Sequence, residues 1–473
     1  MIRITEEYVD AAAPNTNAIT KGWDLVNKRY FVKLFKSEDE TLIFGECKGS
    51  GRSNYFPSAD FLKPESPVFR CTCPSRQFPC KHCLGLLYAF AAGKTFTGAD
   101  IPRDILEKRK KTAARAERKK RITQPGKKKT DKSALKKKIK SQLEGLELLG
   151  SITANIVKNG FASLDPRTLQ TLEKQAKELG NYYLPGAQTA LRRFLLLFKN
   201  NEKWENIYTD ALIQIGTLHA LEKKGKEYLT NRLKDPELKM DADSTIDEWL
   251  GHALQLTELK AMGLVQSNVE LIQLYFNSYI DEARKEFVDL GLWINLKTGQ
   301  IQETRNYRPF RAAKHIKEDD SFFSVISTKE LYVYPGDYNP RIRWEEKTVR
   351  DIKPGDYIKI LSLAVESFPG LVKTVKDRLK NPLSDKNPAA LVKYSLIGKL
   401  GKHLMAEDKE GERLVLEDMS GEPPTCYMIH SIPRKDLENR ALLVRFFHNM
   451  DSGNLRVQPL AIVTDRKILR FAY

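Results

Sequence analysis

Cysteine is scarce in this chain, with six in 473 residues, and that rules out a scaffold held together by disulfides. Long apolar runs are missing too. The longest extends from Leu84 to Ala92 and is broken by Gly85, well short of the roughly 18 residues a membrane-crossing helix needs. The start of the chain carries Glu6, Glu7 and Asp10 in place of the basic and apolar regions of a secretory leader, so the expected compartment is the cytoplasm. Catalytic signatures are also lacking: there is no nucleophile elbow, kinase motif set or dinucleotide fingerprint. Gly93-Lys94-Thr95 looks like the end of a phosphate-binding loop, but Tyr88 stands where the first glycine belongs and the triplet follows a helical pattern instead of a strand. Histidines other than His82, namely His219, His252, His315, His403, His430 and His448, are scattered without a ligand-like pairing.

The chain is 41% hydrophobic, enough to bury cores, and its length calls for two to four domains. Its net charge of +18 is unevenly placed: residues 103–140 hold 18 Lys and Arg against four acids. The rest is close to neutral, so the chain reads as an ordinary globular protein with a basic belt.

Periodicity divides the chain into regions. Tyr30–Phe35 and Thr41–Gly45, separated by the polar Lys36–Glu40, predict a β-hairpin. Val68–Arg70 reads as a short strand, and Leu84, Leu87, Tyr88 and Ala91 have helical spacing that stops near Gly93. Residues 143 to about 292 read as helical, with Asp165-Pro166 as N-cap and first-turn proline. Beyond Ser321, runs such as Leu391–Leu396, Leu442–Phe447 and Leu460–Val463 read as strands, with one helix near 366–380. The expected fold class is a multi-domain α+β protein. A small hairpin-and-helix module covers 1–100, a basic helix and linker 101–142, a helical domain 143–310, and a mixed, mainly β domain 311–473.

Four of the six cysteines fall between Cys71 and Cys83. Cys71-Thr72-Cys73, six further residues, then Cys80-Lys81-His82 offers three thiolates and one imidazole, the donor set of a closed tetrahedral zinc site with no place for substrate. If Val68–Arg70 continues as a strand, Cys71 and Cys73 share a face, while Cys80 and His82 open the following helix, whose dipole favours thiolate. Cys83 is a fifth possible ligand, able to replace His82 in an all-sulfur site or to face the interior.

This segment, with its preceding hairpin and following apolar helix, resembles the SWIM zinc finger over about residues 29–93, and more loosely the whole chain resembles bacterial SWIM zinc finger proteins. The resemblance implies one structural zinc and contacts with DNA or with other proteins. It also implies an adaptor role, with a MoxR-type AAA ATPase and a von Willebrand A domain protein as possible partners. No membrane role is expected.

The basic belt contains Lys108-Arg109-Lys110-Lys111, Arg118-Lys119-Lys120-Arg121, Lys127-Lys128-Lys129 and Lys136-Lys137-Lys138. Nucleic acid is the first partner to consider, because neutralised phosphates release counterions and give strong, salt-sensitive affinity. No aromatic residues are interleaved to stack on bases, so the binding expected is nonspecific. An acidic protein surface or a solvated linker are the other readings of the same charges. On these grounds the chain is expected to be a zinc-stabilised binding protein. An enzyme with its site in the C-terminal domain and a purely structural zinc is the alternative.

Overall fold

The computed structural model describes residues 4–14, 16–49, 53–62, 67–75, 79–109, 132–199, 204–313, 316, 318–450 and 452–471. The chain divides into two compact units, Met1–Lys128 and Lys129–Tyr473. Among the described residues no helix is long and apolar enough to cross a membrane.

The first unit opens with two helices not anticipated from the sequence, α1 (Glu6–Ala12) and α2 (Thr16–Asn27). α1 is two turns long, too short to show a period, and starts where the Thr5 hydroxyl accepts the Tyr8 N–H at 3.3 Å. The expected hairpin is present as β1 (Phe31–Lys36) and β2 (Leu42–Cys47), in register Phe35 opposite Phe44. Its turn is closed by the Asp39 carboxylate, which accepts from the Thr41 N–H at 3.1 Å. β3 (Ser58–Asp60), β4 (Val68–Arg70) and β5 (Thr97–Gly98) complete a sheet of order β4-β3-β2-β1-β5. α3 (Lys81–Ala91) packs its buried Leu84, Leu86, Leu87 and Tyr88 toward Ile43 and Ala59. α2 can approach α3 closely because Gly22 faces Gly85: a Cβ on Gly85 would lie 3.0 Å from the Gly22 carbonyl oxygen. Next to this contact Trp23 stacks on Tyr88 at 4.4 Å.

The second unit begins with helices α4 (Lys132–Asn159), α5 (Pro166–Leu179), α6 (Pro185–Leu197) and α7 (Trp204–Lys234), followed by short α8 (Ile246–Trp249) and α9 (Leu256–Ala261). Asp165 caps α5 as the sequence predicts, accepting the Thr168 N–H at 2.7 Å. Leu146, Leu149, Leu191, Phe194, Leu218 and Leu221 are among the buried residues of the helical core.

The helical reading to residue 292 is corrected here, because helix ends at Ala261 and is followed by β6 (Val265–Asp281), β7 (Glu286–Asn295) and β8 (Ile301–Pro309). Along β7, Asp289, Gly291 and Trp293 alternate with Val288, Leu290 and Leu292, yet almost every position is buried. A strand covered on both faces loses the polar half of its alternation and can pass for a buried helix. These strands join β9 (Val325–Val333), β10 (Ile342–Arg343) and β11 (Thr348–Arg350) in one sheet of order β10-β9-β6-β7-β8, with β11 also on β9.

Two helices follow where one was expected, α10 (Pro354–Leu363) and α11 (Phe368–Leu379). The last sheet contains β12 (Ala389–Leu400), β13 (His403–Glu407), β14 (Arg413–Leu416), β15 (Glu438–Asn449), β16 (Asn454–Val463) and β17 (Ile468–Arg470), in order β14-β13-β12-β15-β16-β17. A parallel pairing of Leu416 with Val457 brings β14 back to β16 and curls the sheet on itself. Ala389, Leu391, Ala441 and Leu443 face a core shared with Ile272, Leu292 and Ile294 of the preceding sheet. Their neighbours Ala390, Val392, Leu442 and Val444 face a second core inside the curl. The alternation of β12 and β15 therefore serves two cores at once.

Glu303 on β8 is 7% exposed, its carboxylate 2.8 Å from the Arg305 guanidinium. Burial raises Glu303 from 4.5 to about 7, with Arg305 opposing the shift and the Asp385 charge adding to it. Asp337, whose carboxylate accepts the Asp385 N–H at 3.3 Å, is raised to about 6 by burial and by Asp385. A carboxyl raised in the folded state favours folding when protonated. Glu303 therefore costs no stability below pH 4.5, costs progressively more up to about pH 7, and adds nothing further above it. Comparing thermal midpoints at pH 5 and pH 8, Glu303→Gln should reduce the drop shown by the parent protein; parallel pH profiles for the two would contradict this.

Candidate metal centre

β4 ends at Arg70, and the chain turns through Cys71, Thr72 and Cys73 before Cys80 starts α3 from its N-cap position. Cys71 and Cys73 therefore meet across a turn beyond the strand and not on a strand face, so the mechanism inferred from sequence is corrected although the convergence is not. Sulfurs of Cys71, Cys73 and Cys80 and a ring nitrogen of His82 all lie within 4.8 Å of one another. His82 Nδ1 is 3.8 Å from Cys71 Sγ and 3.9 Å from Cys80 Sγ. Zinc–sulfur and zinc–nitrogen bond lengths imply tetrahedral edges of about 3.5–3.8 Å, so the donors stand near coordinating geometry.

Cys80 is 2% and His82 4% exposed, while Cys71 and Cys73 are half-buried. The Tyr55 ring, 4.8 Å from the imidazole between centroids, backs His82. Hydrogen bonds from the Cys71 thiol, and next from Cys83, hold the Cys80 thiol far below its usual range. Cys71 is pushed up in return, chiefly through its bond to Cys80. A divalent ion would replace this sharing of protons by taking all three sulfurs as thiolates. Three soft sulfurs and one imidazole, with no carboxylate among them, fit zinc. All four donors come from the protein, which makes the site structural and leaves no coordination place for a reacting water.

Cys83 lies outside this group of four. It is fully buried, with its thiol donating to the Arg70 carbonyl at 3.3 Å and its sulfur 3.7 Å from Cys80 Sγ. Cys47 is also buried in this unit, and burial pushes its thiol up to about 11. Cys47 is therefore a thiol at neutral pH.

The structure adds a charged hub that sequence reasoning missed. Asp60, 4% exposed, accepts from Arg70 at 3.1 Å and from Arg109 at 2.8 and 3.1 Å, and Arg109 also reaches Thr41 Oγ1 at 2.8 Å. These bonds hold Asp60 below its ordinary range against the opposing effect of burial. Arg109, taken from sequence as a nucleic-acid contact, is thus committed to the finger. Lys108 bonds Asp104 at 3.0 Å on the surface of the helical residues 103–109. Lys110, Lys111, Arg118, Lys119, Lys120, Arg121, Lys127, Lys128 and Lys129 lie outside the described residues. An Asp on a β-rich segment gives no signal of its own, because its partners lie 10 and 49 positions away.

A hairpin, a helix and a closed Cys3His set define this unit as a zinc-finger module. The family model of the SWIM zinc finger matches residues 70–91, which include all four donors. No curated protein and no solved structure matches the chain. Residues 70–91 form a SWIM zinc finger whose Cys3His donor set fits one structural Zn2+.

Metal binding at such sites contributes on the order of 10 kcal/mol at neutral pH, comparable with the whole stability of a small domain. Cys71→Ser and His82→Ala should therefore each lose bound zinc and melt the first unit while the second keeps its own transition. Zinc content with calorimetry measures this, and a full zinc equivalent retained by both variants would contradict the ligand assignment.

Proposed function

We propose that the protein is a non-catalytic binding protein in which the zinc finger is the recognition module and the basic belt is an electrostatic anchor for nucleic-acid phosphates. The observation that carries this is the saturated Cys3His set: all the zinc's coordination is used to hold the fold, so the module serves as a shaped surface and not as a reaction centre. The excess of 18 basic residues over four acids in residues 103–140 supports a polyanionic partner, and the pairing of Arg109 with Asp60 roots this belt on the finger. A protein partner in a cytoplasmic assembly of the MoxR-type AAA ATPase and von Willebrand A domain kind is the other form of the adaptor role, supported by the family resemblance alone.

A second reading places catalysis in the second unit. Its support is the group of Glu303, Asp337 and Asp385 around Arg305, with two carboxyls raised into the range where a general acid or base works. It requires a substrate whose turnover falls in Glu303→Gln while zinc content stays unchanged.

The anchor is tested by titrating duplex DNA at about 50 and 200 mM salt, the range over which phosphate-dominated binding loses orders of magnitude in affinity. Replacing the Lys and Arg of residues 110–129 with Gln leaves the Arg109 contact in place. The variant should bind more weakly and with a shallower salt slope. Equal affinity and slope for both proteins would remove nucleic acid as the belt's partner.

A further inference from the structure

Three aromatic rings from separate stretches of the second unit meet over the small core of Val269, Leu271 and Ile326. Trp293 of β7, 4% exposed, lies between the other two, with its ring centre 5.9 Å from that of Phe322 and 5.5 Å from that of Trp344. Phe322 precedes β9, Trp344 follows β10, and both are half-buried. The Trp293 indole N–H donates to Thr304 Oγ1 at 2.9 Å, and Gly291 leaves it room, because a Cβ there would lie 2.8 Å from the indole nitrogen. The Phe322 N–H donates to Gln273 Oε1 at 2.6 Å. Trp344 lies on the short link between β10 and β11, which both pair with β9, and Thr328 Oγ1 of β9 donates to the Glu346 carbonyl of that link at 2.9 Å. The rings are thus held in place in advance of any ligand.

A cation already sits against them. Lys347, exposed and on the same link as Trp344, places Nζ 5.0 Å from the Phe322 ring centre and 6.0 Å from that of Trp344, within the reach over which a π face attracts a positive charge. Among the described residues no carboxylate pairs with Lys347, so rings and water are its surroundings. A primary ammonium has three N–H donors, which water satisfies well and a ring face poorly. A quaternary ammonium has none, and faces of aromatic rings are a recurrent means of recognising it. We propose that Phe322, Trp344 and Trp293 form a binding site for a quaternary ammonium group, with Lys347 as its intramolecular plug. The lysine stem is flexible and its position exposed, so its ammonium can move into water and leave the rings to the ligand. The ligand's apparent affinity is lowered by the fraction of molecules in which Lys347 occupies the rings, an effect of about two- to fivefold for an exposed cation–π contact. Every residue of the site belongs to the second unit, so it does not depend on the zinc assignment.

The test titrates tetramethylammonium chloride into the full-length protein, with sodium chloride at equal concentration as the blank, and reads binding from saturation transfer to the ligand's methyl protons. Lys347→Met, which keeps the stem and removes the charge, should bind about two- to fivefold more tightly than the parent. Adding Trp344→Leu or Phe322→Leu to Lys347→Met should abolish that binding; two walls are tested separately so that a variant with a collapsed thermal midpoint can be set aside. No binding to either parent or Lys347→Met, equal affinity of the two, or binding that survives the loss of either wall would overturn the proposal. Choline and a peptide carrying trimethyllysine then separate the sources of the group. Binding of choline alone, with the same ranking of variants, identifies a free small molecule, and binding of the peptide alone identifies a modified protein side chain. Failure of both would overturn the assignment to quaternary ammonium ligands.

Discussion

Convergence of four donor atoms at the end of β4 and the start of α3 is the constraint on which the first unit depends. The sheet beside them is thin, since β3 and β4 have three residues each and β5 has two. Such strands contribute few ladder bonds, and the buried apolar cluster around Leu84, Leu87 and Tyr88 covers one side of the sheet. A metal that joins the turn after β4 to the first turn of α3 fixes both the sheet edge and the helix that packs on it. It does so without further residues, because the coordination bonds replace contacts a larger core would supply.

The other elements of the unit extend this arrangement outward. Arg70, next to Cys71, binds Asp60, Asp60 binds Arg109, and Arg109 is the last belt residue described before Lys132. A nearly fully buried carboxylate serving two guanidiniums is costly unless every oxygen is used, and here both oxygens of Asp60 accept. The zinc site and the root of the belt therefore lie on one path of hydrogen bonds, which gives a physical reason for a recognition module and an anchor to follow each other in the chain.

Legibility in the sequence followed how local each signal was. The metal ligands were readable because coordination chemistry demands particular residue types at short spacings, and Cys71, Cys73, Cys80 and His82 supply them within twelve positions. The hairpin and α3 were readable from alternation and from the spacing of Leu84, Leu87 and Tyr88. β6 and β7 were not, because burial on both faces fills the positions that would otherwise be polar; Asp289 itself is buried, held by Arg308 at 2.7 Å. Asp60 was invisible for the opposite reason, being an ordinary polar residue whose importance depends on partners brought together by folding. The same holds for Glu303, whose raised pKa arises from burial and from Asp385 and Asp337, which folding brings near it. Arg109 looked like a free cation because charge is visible in a sequence and pairing is not.

X-ray absorption at the zinc edge on the purified full-length protein tests the central claim most directly. The expected result is one zinc per chain in a four-coordinate shell of three sulfurs near 2.3 Å and one nitrogen near 2.0–2.1 Å. A shell containing oxygen, a vacant or water-filled position, or four sulfurs with no nitrogen would contradict the closed Cys3His centre and the structural role derived from it.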